Sequence, residues 1–183
     1  MPDTDLRYPV GRFARPAEMN EAGRAGWIEE IAAAPQRMRA AVEGLAEEQL
    51  DTPYRPGGWT VRQVVHHLPD SHLNAYVRCK LALTEETPAI RTYEEARWAE
   101  LPEARSAPVD VSLALLDSLH ARWVLCLRQL PAEAFARTWK HPQWGLLTLD
   151  DLLGLYAWHG RHHVAHVTAL RERMGWNGGE AGA

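Results

Sequence analysis

Residues 152–170, LLGLYAWHGRHHVAHVTAL, hold four of the nine histidines and most strongly constrain how the chain folds. On a helix of about 100° per residue, one face of this stretch carries both large apolar side chains and imidazoles. That face consists of Leu152, Leu155, Tyr156, His159, His163, His166, Val167 and Leu170. Such a face turns toward a protein interior, where an imidazole without a partner costs about 1–3 kcal/mol. The pattern therefore predicts a buried helix whose histidines have partners or bind a metal ion.

Two histidines one helical turn apart can bind the same ion, and this stretch contains two such pairs. The pairs are His159 with His163 and His162 with His166. A catalytic site for zinc or a related ion typically uses three protein ligands and leaves one position open to water or substrate. The third ligand would come from the predicted second helix, whose candidates are His66, His67 and His72. The spacing alone does not decide among them.

The rest of the chain favours an all-α protein. Its 183 residues are enough for one domain, spanning 1–183, with a substantial core. We expect an N-terminal arm over residues 1–16 and a flexible tail over 177–183. Four long helices are predicted at about 16–45, 60–85, 111–130 and 148–175. These helices predict a four-helix bundle with a long connection, roughly 25 residues, between the second and third helices.

Charge and cysteine content exclude several classes of protein. The net charge of −4 disfavours a nucleic-acid partner or an anionic membrane surface. Cys79 and Cys126 lie in apolar helical patterns without a CxxC neighbour, and we expect them to be reduced core residues. We see no signal peptide, and no apolar run approaches the roughly 18 residues of a membrane span. These features predict a cytoplasmic protein without a nucleic-acid or membrane partner.

The predicted second helix carries a polar row beside its apolar stripe. The apolar stripe is Val61, Val65, Leu68, His72, Tyr76, Cys79 and Leu83. The polar row is Thr60, Gln63, His67, Ser71, Asn74 and Arg78. A row of this kind is either a solvated helix face or the wall of a cavity. If it is a cavity wall, these side chains bind a polar substrate, and Arg78 could pair with a substrate carboxylate.

Two segments of the sequence resemble the DinB/YfiT-like superfamily. They are GWTVRQVVHHLPDSHLNAY at residues 58–76 and YAWHGRHHVAH at residues 156–166, and LALTEETP and YEEARWAEL extend the resemblance over most of the chain. The YfiT branch of metal-dependent hydrolases is the most similar, and bacillithiol S-transferases belong to the same superfamily. The resemblance implies a homodimeric four-helix bundle that holds one divalent metal ion through a histidine of the second helix and an HxxxH pair of the last helix. On this sequence those ligands are His67, His159 and His163. Zinc is the expected ion, with nickel as the alternative.

The other histidines and the acidic residues receive different predictions. Three are expected to be core histidines with hydrogen-bond partners, namely His72, His120 and His166. We expect His66 and His162 to be solvated or to lie beside the ligands, and His141 to lie on the surface. Asp70 and Asp151 are candidate general bases without supporting geometry, so no catalytic residue is assigned. The tryptophans are assigned to packing.

Three functions fit these patterns. An open three-histidine site can activate the thiol of a small molecule for transfer to an electrophilic small molecule, and the resemblance suggests a bacillithiol-type thiol. The same site can activate water, which would make the protein a metal-dependent hydrolase. Because no glutamate is placed like the base of HExxH, thiol transfer is favoured. The third function is a metal-holding stress protein without turnover.

Overall fold

The computed structural model describes residues 5–15 and 19–176, and most of these residues are helical. The helices are α1 (Glu21–Val42), α2 (Glu47–Leu50), α3 (Val61–Thr84), α4 (Glu95–Trp98), α5 (Pro102–Ser106), α6 (Val109–Arg128) and α7 (Leu149–Met174). A 3₁₀ turn, Ala132–Ala136, precedes an antiparallel hairpin of β1 (Thr138–His141) and β2 (Gly145–Thr148). Residues 1–4 and Pro16 of the expected arm and the expected tail over 177–183 lie outside the described residues.

The four long helices, α1, α3, α6 and α7, form a bundle. Helix α1 packs against α6 and α7, and α3 packs against the same two helices. The helices α1 and α3 are therefore diagonal to each other, which confirms the predicted four-helix bundle. Within the described ranges, no helix is long and apolar enough to cross a membrane.

Capping boxes fix where α3 and α7 begin, as the sequence predicts. The Thr60 hydroxyl accepts from the Gln63 backbone N–H at 3.1 Å, and the Gln63 side chain accepts from the Thr60 N–H at 2.9 Å. Thr148 and Asp151 make the same reciprocal pair, at 3.2 and 2.8 Å. Each pair satisfies two backbone donors at a helix start. These caps set the register of the two helices that carry the candidate ligands.

Two helix boundaries differ from the prediction. Helix α1 begins at Glu21 rather than near residue 16, because the Asn20 side chain accepts from the Gly23 N–H at 2.8 Å and caps it. Helix α6 begins at Val109 rather than near residue 111, and the long connection before it contains two short helices, α4 and α5. Pro102 lies in the first turn of α5, where its missing N–H costs no hydrogen bond.

Two apolar clusters form the core and lie toward opposite ends of α7. One includes Leu152 and Tyr156 from the first half of α7, and the other includes Val167 and Leu170 from its second half. The histidines at 159–166 lie on α7 between these clusters. Beside these histidines α1 packs closely against α7, since a Cβ atom added to Gly160 would lie 3.0 Å from Ala34 Cβ. The apolar clusters therefore hold a polar layer between them.

Candidate metal centre

His67 of α3 meets His159 and His163 of α7 inside the bundle. One ring nitrogen of each residue lies within 4.8 Å of the others. The His159 and His163 ring centroids are 4.4 Å apart, and the His67 ring lies 5.5 and 4.9 Å from them. Three imidazoles at this separation can surround one ion with Zn–N bonds of about 2.0–2.1 Å. The structure thus brings together the three residues predicted to bind the metal.

A chain of hydrogen bonds fixes which nitrogen His159 presents. His120 Nδ1 donates to the Ile31 carbonyl, at 2.6 Å, because a carbonyl can only accept. His120 Nε2 is then an acceptor, and it receives the His72 Nδ1–H at 2.8 Å. His72 Nε2 in turn receives the His159 Nδ1–H at 3.1 Å. Neutral His159 therefore carries its proton on Nδ1, which leaves the Nε2 lone pair free.

A second chain orients His163 in the same way. His166 Nε2 donates to the backbone carbonyl of Arg7 at 3.2 Å. The neutral His166 ring therefore accepts at Nδ1, which lies 3.4 Å from His163 Nδ1. This contact requires the proton of His163 to be on Nδ1, although the distance makes the bond weak. His163 Nε2 is then also left with a free lone pair.

The two free lone pairs face each other across 3.2 Å, the distance from His159 Nε2 to His163 Nε2. Neither nitrogen carries a proton if both chains are satisfied, so the two nitrogens repel unless a cation lies between them. If a proton lay between these two nitrogens, one imidazole ring would have to be charged, or the hydrogen bond from His166 to the Arg7 carbonyl would have to break. The arrangement of donors therefore fits a divalent metal ion.

Burial keeps the candidate ligands neutral. It lowers the pKa of His67 to about 4 and, together with the neighbouring histidines, lowers the pKa values of His159 and His163 well below 6.5. A metal ion competes with protons for these lone pairs, so a low pKa favours metal binding near neutral pH.

All three candidate ligands line one cavity of about 870 Å³. Within residues 5–15 and 19–176, no fourth histidine, cysteine, aspartate or glutamate joins the ligand group. An ion held by the three imidazoles would therefore keep a coordination position for a ligand from the cavity.

Aromatic side chains form much of the cavity wall. They are Tyr8, Tyr54, Trp59, Tyr93, Trp144, Tyr156 and Trp158. Trp59 also packs against His67, with 4.7 Å between ring centroids. The sequence assigned the tryptophans to packing, and no periodic pattern could relate these residues, because several of them come from loops and the hairpin.

The structure brings only two of the four proposed substrate residues to this cavity. Ser71 and Arg78 line it. Gln63 does not, because its side chain caps α3 and donates to the Ala99 carbonyl at 2.7 Å. Asn74 does not either, because its amide donates to the Asp70 carbonyl within the same helix at 2.9 Å.

The core assignments of His72, His120 and His166 agree with the structure, and two other histidine predictions were wrong. His141 is buried rather than on the surface, because the hairpin turns it into the cavity, where its ring stacks on Trp144 at 4.3 Å. His66 is buried rather than solvated, and its ring nitrogens contact Ser112 Oγ at 2.6 Å and the Ala107 carbonyl at 3.1 Å instead of a candidate ligand.

His162 lies beside the ligands, as one of its two predicted alternatives states. It is buried, and its ring stacks on Trp158 at 4.4 Å.

Neither candidate general base lies on the cavity wall. Asp151 caps α7 and pairs with Arg15 at 2.7 Å, so its carboxylate has a structural role. Asp70 is half-buried outside the cavity lining. The carboxylates that the described residues do place on the wall are Glu94 and Glu95, which lie at the start of α4 in the long connection and were not predicted as site residues.

The fold and the histidine cluster define a helical bundle with a candidate three-histidine metal centre at the wall of an aromatic cavity. The model of the DinB superfamily matches residues 30–167, and the chain belongs to this superfamily. A Bacillus cereus (strain B4264) protein named "Putative metal-dependent hydrolase" is 54% identical over 172 residues, covering 94% of this chain and 99% of that protein. A Bacillus mycoides (strain KBAB4) protein of the same name shows the same identity and coverage.

Solved structures agree with this assignment. YfiT from Bacillus subtilis, described as a probable metal-dependent hydrolase with an unusual four-helix bundle topology, matches with a TM-score of 0.92. It is 50% identical, over 94% of this chain and 99% of YfiT. The four-helix bundle protein TT2238 matches with a TM-score of 0.58 at 20% identity, over 80% of this chain and 98% of TT2238, which supports the fold alone.

Proposed function

We propose that the protein is a metal-dependent enzyme that activates a nucleophile at the site formed by His67, His159 and His163. The observation that carries this proposal is the pair of lone pairs that face each other across 3.2 Å on His159 and His163. Two hydrogen-bond chains hold them there against their mutual repulsion. Such an arrangement is unfavourable in itself and becomes favourable around a cation, so it indicates a binding site rather than core packing.

A divalent cation bound there supplies a Lewis acid that lowers the pKa of a thiol or a water at the open position. The residues of the chain hold the site and shape what reaches it. His67, His159 and His163 are neutral donors, so they leave the full positive charge of the ion available. The aromatic side chains of the wall give the substrate an apolar surface beside the centre. Zinc is the favoured ion and nickel the alternative.

Transfer of a low-molecular-weight thiol to an electrophilic small molecule is the reaction we favour. A thiol has a pKa near 8.5, several units below the pKa of water, so a thiol needs a much smaller shift to ionise at neutral pH. The bound thiol would release its proton to solvent, its sulfur would form a bond to the electrophilic carbon, and the leaving group would depart with the electrons of the broken bond. Burial raises the pKa of the Cys79 thiol to about 11, and neither Cys79 nor Cys126 lines the cavity. The reacting thiol would therefore be a bound small molecule, and the family resemblance suggests one of the bacillithiol type.

Hydrolysis is the second candidate, and Glu95 favours it. This carboxylate lines the same cavity, and desolvation raises its pKa, partly opposed by the charge of Arg78. A carboxylate of raised pKa is a better proton acceptor for an attacking water. The names of the Bacillus relatives agree with this reaction.

The test uses metal-loaded protein incubated with a small thiol and a chlorinated nitroaromatic, and thioether is measured by mass spectrometry. We expect thioether with wild type and with His141→Ala, a cavity histidine outside the ligand group. We expect none with His163→Ala, which should remain helical by circular dichroism but lose stoichiometric metal. Thioether formation by His163→Ala would contradict the proposal.

Other outcomes of this experiment identify the alternatives. Cleavage of an ester panel without thiol would favour hydrolysis, and Glu95→Gln should then slow it. Metal binding without either activity would favour a metal-holding stress protein. A cytoplasmic location suits the thiol reaction, because small thiols stay reduced there. The homodimer belongs to the same proposal, and light scattering tests it.

A further inference from the structure

Arg78 is a buried guanidinium without a counterion in contact. Its side chain leaves the last third of α3, lines the metal-centre cavity and is 9% exposed. Nη1 donates to Tyr156 Oη at 3.4 Å and Nη2 donates to the Arg91 carbonyl at 3.3 Å, both at the long end of the hydrogen-bond range. Among the residues that the structure describes, no carboxylate lies within 4.0 Å of it.

Arg62, the other buried arginine on α3, shows how the chain treats a structural guanidinium. Arg62 is 3% exposed, and it pairs with Asp51 at 2.7 Å and donates to the Ala107 carbonyl at 3.0 Å. Glu47 provides a second carboxylate. Burying a charge is costly unless it is paired and hydrogen-bonded. Arg78 has no carboxylate in contact, and the charge of Glu95 on the same cavity wall acts on it only from beyond 4.0 Å. Arg78 therefore has donors to offer a ligand.

The surroundings of Arg78 place such a ligand next to the metal centre. Tyr156 accepts from Arg78, and its ring lies 5.6 Å from the ring of the candidate ligand His159. Only one tyrosine side chain therefore separates the guanidinium from the centre. Tyr93 lines the same cavity, and its hydroxyl is a buried atom without a hydrogen-bond partner in the described part of the chain.

We propose that Arg78, together with the hydroxyls of Tyr93 and Tyr156, binds a carboxylate group of the substrate whose reacting atom lies at the metal centre. A planar guanidinium can bind both oxygens of a carboxylate at once. Glu94 and Glu95 on the same wall disfavour a doubly charged group such as phosphate. The proposal rests on the proposed function for the position of the reacting atom, whereas the binding of the carboxylate does not depend on it.

The test therefore uses metal-free protein, in which no bound ion can attract the probe. Monomethyl glutarate carries one carboxylate, and dimethyl glutarate is its neutral match. Titration followed by NMR should give a dissociation constant at least about tenfold lower for the monoanion with wild type. Arg78→Met should reduce this difference to less than about twofold. Arg78→Lys should give an intermediate value, because it keeps the positive charge but loses the planar guanidinium that can bind both carboxylate oxygens.

Arg55→Met is the matched control, because Arg55 lines the same cavity without being buried like Arg78. This variant should keep the tenfold preference. The melting temperature separates ligand binding from a structural role. Arg78→Met should melt at or above the temperature of wild type, since it removes a buried charge that lacks a counterion.

Four results would overturn the proposal. They are equal affinity of wild type for both probes, a preserved preference in Arg78→Met, a lowered melting temperature or loss of folding in Arg78→Met, and tighter binding of inorganic phosphate than of monomethyl glutarate. Any of these results would leave the proposed metal chemistry standing. Conversely, a preference for the monoanion in protein that shows no turnover would leave the carboxylate site standing and remove the proposed function.

Discussion

The position of a single proton on His159 depends on two residues that cannot reach the metal centre themselves. His72 accepts the His159 Nδ1–H, and His120 accepts from His72 while it donates to the Ile31 carbonyl. Partners of this kind hold a ligand ring in one tautomer and orientation, and their loss typically lowers metal affinity by 10–100-fold. His72 and His120 are therefore positioning residues for the candidate centre.

We predict that His120→Phe lowers metal affinity by about 10–100-fold while all three ligands remain in place. Phenylalanine fills similar space but offers no acceptor to His72, so His159 is no longer locked with its proton on Nδ1. Competition with a chromophoric chelator measures the affinity, and the visible spectrum of the cobalt-substituted protein reports the ligand geometry. His141→Ala should match wild type in both measurements. An unchanged affinity in His120→Phe would show that the chain of histidines does not orient His159.

At the scale of elements, the N-terminal arm acts as part of the centre. The arm lies along α7, and two contacts hold it there. Trp158 Nε1 donates to the Gly11 carbonyl at 3.1 Å, and Arg15 pairs with Asp151 at 2.7 Å. Earlier in the arm, the Arg7 carbonyl accepts from His166 Nε2. This hydrogen bond leaves His166 Nδ1 as an acceptor, so the proton of His163 is on Nδ1. Docking of the arm and orientation of a ligand are therefore coupled.

We predict that deleting residues 1–12 lowers metal affinity by about tenfold and leaves the bundle folded. The deletion removes the carbonyl that fixes His166, whereas the apolar clusters of the bundle lie elsewhere. Arg7→Ala is the control, because the Arg7 side chain pairs only with the neighbouring Asp5 while the carbonyl remains. Calorimetric titration with zinc measures both variants. Equal loss of affinity in the two would point to the side chain instead of the carbonyl.

For the whole molecule, the buried histidines make the free energy of unfolding depend on pH. Burial lowers the pKa values of His67, His120 and His166 from 6.5 to about 4. Between these values the unfolded chain binds more protons than the folded protein, so stability rises with pH across this window. Burial raises the pKa of Asp70 from 3.8 to about 6 and also raises the pKa of Glu95, and these two carboxyl groups act in the opposite direction.

We predict that the free energy of unfolding of the metal-free protein falls by at least about 3 kcal/mol from pH 7 to pH 5. A histidine shifted this far contributes about 2 kcal/mol to the fall, and several such groups outweigh Asp70 and Glu95. Urea unfolding at the two pH values measures the difference. His120→Phe should show a smaller fall, by about 2 kcal/mol, because one titrating group is gone. A stability that stays constant or rises on acidification would contradict this account.

Local signals in the sequence were enough for the bundle and for part of the site. Thr60 with Gln63 and Thr148 with Asp151 are short-range pairs, so the starts of α3 and α7 were predictable. The ligand set needed the family resemblance as well, because spacing did not choose among His66, His67 and His72.

The missed features depend on tertiary contacts between distant parts of the chain. His141 reaches the cavity because a hairpin folds onto the bundle, and Glu95 reaches it through the long connection. Gln63 and Asn74 fit the periodicity of a cavity wall, yet local hydrogen bonds to Ala99 and Asp70 hold them elsewhere. Helical period describes a face of a helix, but it does not say which neighbour covers that face.

Both histidine chains end on main-chain oxygens, those of Ile31 and Arg7. Every amino acid contributes such an oxygen, so the chemistry of the ligands does not depend on the identity of the side chains at these two positions. A survey of relatives that looks for shared side chains would pass over both positions. What must be retained there is the path of the backbone, which an inserted or deleted residue would alter.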